Sequence, residues 1–268
     1  MTQFIITGSS VQAIQLISKS LTAVGVGEAY PSQRDKRTAR EVQKLLRKYI
    51  KNNRIERDHT PHTSPSRIGD ILAADLFLAN AEQTNWHFTS EFDPVILDYW
   101  KSFDPDIKLI LVYVAAHDHI IAAANSAKET ITRDWADQQL DDWKKHQEAL
   151  LNYFYTIQDS AVLVHAGSVI RDQQSLARTL KLEIETLASG GRQPANISDQ
   201  SLHPSAYPLP KGEDIDYDLT TSSACNLPEN MLAHKIVEGH PQASSLQQEL
   251  DSTAHIPPIT LPVTCLLY

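Results

Sequence analysis

Gly8-Ser9-Ser10 is the first place in the sequence where residue types and spacing suit chemistry. It follows the apolar run Gln3-Phe4-Ile5-Ile6-Thr7 and precedes Val11, Ile14, Ile17 and Leu21, which recur at helical spacing. A glycine-serine turn between a strand and a helix can hold an anion with backbone N–H groups and the positive end of the helix dipole. The same residues also suit a plain turn in which Ser10 caps the helix. The Walker pattern G-x-x-x-x-G-K-[ST] is absent.

His117-Asp118-His119 is the second candidate. Two imidazoles and a carboxylate can serve as a general base or as metal ligands. Residues two apart diverge on a helix and a third ligand is not identifiable, so no metal site is assigned. A solvated loop is the competing reading. Glu91 and Asp93 could take a proton from a hydroxyl acceptor, or could simply form the turn Phe92-Asp93-Pro94. His59 and His62 lie in the polar loop 58–67 and could join such a site or remain on the surface. The most basic stretch carries Arg34, Lys36, Arg37, Arg40, Lys44, Arg47, Lys48 and Lys51. It could meet an acidic polysaccharide, a nucleotide or an anionic membrane surface, or form one solvated helix face.

These candidates need elements to position them. A strand over residues 3–7 and a helix after Ser10 hold the first loop, with Gly25 and Gly27 ending the helix. The basic stretch predicts a helix over 32–52, with Val42, Leu45, Leu46 and Tyr49 on its apolar face. Further helices are expected over 68–81 and 95–100. Ile107 to Val114, nearly all apolar, predicts the central strand, covered on both faces. After a turn at 115–118 come a helix through Ile120 and Ala124, a longer one over 135–155, a strand at 161–165 and a last helix over 176–187. Strands alternating with helices predict a three-layer α/β sandwich with a parallel, P-loop-like sheet. Residues 1–188 would form this domain. Residues 189–268 would be a linker rich in Gly, Pro, Ser and Asp, then a helical hairpin over 228–254 and an apolar end, ITLPVTCLLY. That extension would pack on the domain or lead to a further one.

Several segments, in order, resemble bacterial sulfotransferases of the polysaccharide-modifying type. Phe4 to Ser10 with the following helix is similar to their first strand and phosphate loop. Ser90-Glu91-Phe92-Asp93-Pro94 ahead of Trp100 is similar to their stretch before a tryptophan. Leu109 to Tyr113 resembles the strand before their Arg-x-Pro motif, and Trp143 to His165 their late helix and strand. The likeness covers about residues 3 to 187. It implies a sulfotransferase-type fold and transfer of a sulfuryl group from 3'-phosphoadenosine 5'-phosphosulfate (PAPS) to a carbohydrate hydroxyl or amine. Gly8, Ser9 and Ser10 would cradle that donor. The chain departs from the family where the donor's cations should stand: Val11 occupies the loop's basic position, Val114 that of the arginine after the central strand, and Ala122 that of its serine partner. Two functions follow from the resemblance. One is a divergent sulfuryl transferase of surface polysaccharide synthesis. The other is a non-catalytic binding or scaffolding module attached to glycosyltransferases.

Composition bounds both. The 268 residues, 41% of them hydrophobic, can bury a full core. A net charge of -9 argues against a nucleic-acid binder held by counterion release. Cys225 and Cys265, far apart, exclude a zinc ribbon or disulfide framework. The sequence shows neither a signal-peptide pattern nor an uninterrupted apolar run of membrane-spanning length, and a cytoplasmic location is expected.

Overall fold

The computed structural model describes residues 2–56, 67–127, 131–181 and 227–258. Five parallel strands form one sheet: β1 (Thr2–Gly8), β2 (Gly27–Glu28), β3 (Asn85–Thr89), β4 (Lys108–Tyr113) and β5 (Ala161–His165). Their order is β2-β3-β1-β4-β5. The chain winds outward from β1 to β2, returns to β3, then crosses β1 to reach β4 and β5. This reversal puts a topological switch point at the carboxyl end of β1, where open α/β sheets gather ligands.

Ten helices cover the sheet among the described residues: α1 (Val11–Ala23), α2 (Ala39–Glu56), α3 (Arg67–Ala79), α4 (Pro94–Phe103), α5 (Ala116–Ala127), α6 (Arg133–Thr156), α7 (Ala166–Arg171), α8 (Gln173–Thr179), α9 (Leu227–Glu238) and α10 (Pro241–Thr253). Successive strand residues point to opposite faces, and the apolar sequence of the strands fills both. Phe4, Ile6, Ile110, Val112 and Val164 pack with α1, α7 and α8. Ile5, Trp86, Phe88, Leu109, Leu111 and Leu163 pack with α2 to α6 and with Ala233, Leu246 and Leu250 of α9 and α10. The expected three-layer α/β arrangement with a parallel sheet is therefore the one observed.

Several element boundaries differ from the sequence reading, each for a local reason. The basic helix begins at Ala39 rather than 32, because Thr38 and Glu41 form a capping box. The Glu41 N–H donates to Thr38 Oγ1 at 3.3 Å, and the Thr38 N–H donates to Glu41 Oε2 at 2.8 Å. Ser32 to Arg37 closes a turn ahead of it, through the Ser32 N–H to Arg37 O bond at 2.8 Å. Of the expected turn at 115–118, residues 116–118 are already helix, and Asp118 sits in the first turn of α5, where the dipole favours a carboxylate. The last helix of the main body begins at Gln173, capped by Asp172, and ends at Thr179; Lys181 follows with φ 53°. β3, with the sequence Asn-Trp-His-Phe-Thr, was not expected as a strand. Its polar His87 interrupts an apolar pair, and its Nε2 meets Ser18 Oγ of α1 at 2.8 Å. The loop holding His59 and His62, the linker and the apolar end from residue 259 lie outside the described residues.

After α10 the chain returns along β5. The His255 N–H donates to Leu163 O at 2.8 Å and the His165 N–H to Ile256 O at 2.9 Å, so that Ile256 bridges Val164 in parallel. Among the described residues, no helix is long and apolar enough to cross a membrane.

Candidate functional site

The loop after β1 is shaped by close packing. A Cβ on Gly8 would stand 2.2 Å from Val112 O of β4, so only glycine lets the loop lie against the neighbouring strand. Ser10 then caps α1 as expected, accepting from the Ala13 N–H at 3.3 Å. The N–H groups of a first helical turn have no intrahelical acceptor and point outward. Ser9 Oγ accepts from Gln147 Nε2 of α6 at 2.7 Å.

Beside this loop, at the carboxyl end of β1 and β3, an open cleft separates α1 from α2. It is lined by Val11, Ile14 and Gln15 of α1, by Thr89, Ser90 and Glu91 after β3, and by Arg40, Gln43, Lys44 and Arg47 of α2. The three cations fall at i, i+4 and i+7, which is one face of a helix. Their helix is held there by Val42, Leu46 and Ile50 in the core and by Gln43, whose Nε2 donates to Thr89 O at 3.2 Å. Arg40 and Lys44 make no ion pair among the described residues. Arg47 is engaged: its Nη1 lies 2.9 Å from Glu91 Oε2 and its Nε 3.0 Å from Asp93 Oδ2. Asp93 also caps α4, accepting from the Val95 N–H at 3.2 Å.

The structure thus separates the residues singled out in the sequence. Glu91 lines the cleft with Val11, the residue after Gly8-Ser9-Ser10, while Ser9 meets α6 and Asp93 holds Arg47 and a helix end. His117 and His119 neither line the cleft nor hydrogen-bond to the loop. His117 stacks on His234 of α9 with ring centroids 4.0 Å apart, and its Nε2 lies 3.3 Å from Asp118 Oδ1. Burial, with the neighbouring His234, lowers its pKa against the pull of Asp118. His119 faces α6, where burial and then His146 lower its pKa, and its Nε2 is buried without a partner among the described residues. Among the described residues, no three His, Cys, Asp or Glu side chains are grouped to hold a metal ion.

Near His117 lies a second polar group that sequence reading missed. His165, at the end of β5, meets Ser168 Oγ with Nδ1 at 3.1 Å, and Ser168 donates onward to Pro257 O at 2.7 Å. Tyr113 and Gln247 both donate to Asp251 Oδ1, at 3.0 and 2.7 Å. This cluster fastens α10 to the ends of β4 and β5. Sequence reading also missed Gln43, Thr89, Ser90 and Gln147. The cleft's cations were legible as a basic helix, but their face was not tied to the loop because β3 had not been read as a strand.

What the cleft can do follows from its charges. Backbone N–H groups at the start of α1 and the cations of α2 that face it stabilise an oxyanion, and Glu91 supplies one carboxylate beside them. No family model matches the sequence, and no curated protein matches it. Among solved structures the chain is similar to a sulfotransferase domain from the curacin biosynthetic pathway, at 10% identity and a TM-score of 0.45, covering 69% of this chain and 76% of that one.

Proposed function

We propose that the chain is a sulfotransferase-like transferase domain whose cleft between α1 and α2 takes a sulfate- or phosphate-bearing donor. The observation that carries this reading is the placement of Arg40, Lys44 and Arg47 across the cleft from Val11, the residue that follows the Gly8-Ser9-Ser10 loop. The sequence lacks cations at Val11 and Val114, and α2 supplies them from another direction. In sulfuryl transfer the acceptor oxygen forms a bond to sulfur while the bond from sulfur to the donor's bridging oxygen breaks. Negative charge moves onto that bridging oxygen, where the cations and loop amides would stabilise it. The proton lost by the acceptor hydroxyl would pass to Glu91. A surface carbohydrate as acceptor rests on the sequence resemblance to polysaccharide-modifying enzymes.

Calorimetric titration with adenosine 3',5'-bisphosphate at low salt tests the reading. Micromolar binding that weakens when Arg40 and Lys44 become alanine supports a donor site. The absence of heat at millimolar ligand sinks donor-dependent transfer. A second reading, a non-catalytic module working beside glycosyltransferases, is favoured by one observation: Glu91 and Asp93 already neutralise Arg47. Binding of the nucleotide without transfer from PAPS to any carbohydrate would support it.

A further inference from the structure

Gln147 lies within α6 with none of its surface exposed, among Trp143, Leu150 and Leu151, which point into the core. Its Nε2 makes one hydrogen bond, to Ser9 Oγ at 2.7 Å, and its Oε1 is buried with no partner among the described residues. Leucine or methionine would fill this place without leaving an oxygen unpaired, so packing does not account for the amide. Its contact with the loop does. A hydroxyl has one proton and two lone pairs. Gln147 occupies a lone pair of Ser9, which turns the hydroxyl proton away from Gln147, and that proton has no acceptor among the described residues.

We infer that Gln147 is a positioning residue that holds the Ser9 hydroxyl as a hydrogen-bond donor toward the anion bound at the loop. This rests on the donor site proposed above. The serine is thereby committed to ligands that present an oxygen lone pair, an ionised sulfate or phosphate oxygen above all. The core gives up one satisfied polar atom to keep it so.

The experiment compares adenosine 3',5'-bisphosphate affinity and thermal melting for the wild type, Gln147→Met, Ser9→Ala and the double variant. Gln147→Met is expected to melt at or above the wild-type temperature and to bind about tenfold more weakly. Ser9→Ala is expected to weaken binding about as much, and the double variant to be no weaker than Ser9→Ala alone. Gln147→Met binding like the wild type, or losses that multiply in the double variant, would overturn the inference. If Gln147→Met does not fold, Gln147→Leu takes its place in the same comparison; failure of both makes the amide a requirement of the fold and overturns the inference too. No binding by the wild type is a different result, which removes the donor site itself.

Discussion

Arg47 and Asp93 are joined by a 3.0 Å contact between Nε and Oδ2, which ties a cation of the cleft to the cap of α4. The same arginine also meets Glu91. A ligand that needs Arg47 must compete with both carboxylates.

Glu91→Gln should therefore tighten adenosine 3',5'-bisphosphate binding by about threefold, since it removes a charge that competes for Arg47. If Glu91 also takes the acceptor's proton, turnover falls while affinity rises. Calorimetry and a transfer assay on the same variant separate the two effects.

Asp93→Ala removes a helix cap as well as an ion-pair partner. It should lower stability by about 1 kcal/mol, the usual cost of losing an N-cap. Urea unfolding measures this loss, and calorimetry on the same protein should show affinity rising as it does for Glu91→Gln.

Arg40→Ala and Lys44→Ala should each weaken nucleotide binding about fivefold to tenfold and leave urea stability within about 0.5 kcal/mol, because both side chains are exposed and neither makes an ion pair among the described residues. Titrations at rising salt give a second readout. The wild-type affinity should fall more steeply with ionic strength than that of either variant, since exposed charges are screened.

Gly8→Ala places a methyl group 2.2 Å from Val112 O in the sheet centre. Strand and loop must part, at a cost of about 3 kcal/mol. A drop in the urea midpoint together with loss of nucleotide binding is expected; a stable variant would show that the loop can sit elsewhere.

Acid should destabilise the protein through its shielded histidines. Burial pushes the His87 pKa down to about 4, against an ordinary value of 6.5. A base lowered in this way contributes its full stability above pH 6.5 and loses it as the pH falls from 6.5 toward 4, because the unfolded chain binds the proton first. The shift corresponds to about 3 kcal/mol. His117, His119 and His165 are lowered as well and act with the same sign. Urea midpoints between pH 7.5 and 4.5 should fall for the wild type and fall less for His87→Gln.

The parts of this protein that follow one simple pattern were legible in its sequence. The Ile107 to Val114 run gave away β4, and Ser10 its cap, because an apolar strand and a helix start each need only local signals. β3 was hidden because Asn85, His87 and Thr89 dilute its apolar content. The Nε2 of its histidine meets Ser18, a residue 69 positions away. Losing β3 hid the cleft, since Thr89, Ser90 and Glu91 meet α2 only once that strand lies between β1 and β2. The orientation of His117 was equally unreadable, for it depends on a stacking partner more than a hundred residues later, His234.

Both borders of the sheet are closed to growth. β2 is two residues long, too short to template a ladder with another chain. On the far side, His255 and Ile256 already take up the carbonyl of Leu163 and the amide of His165 that β5 would otherwise present to a passing strand. A parallel sheet whose β1, β4 and β5 are rich in isoleucine, leucine and valine would be an aggregation hazard with a bare rim. The short segment after α10 thus acts as a cover for the sheet's rim: without it the pairing groups of Leu163 and His165 would face outward as a template for another strand.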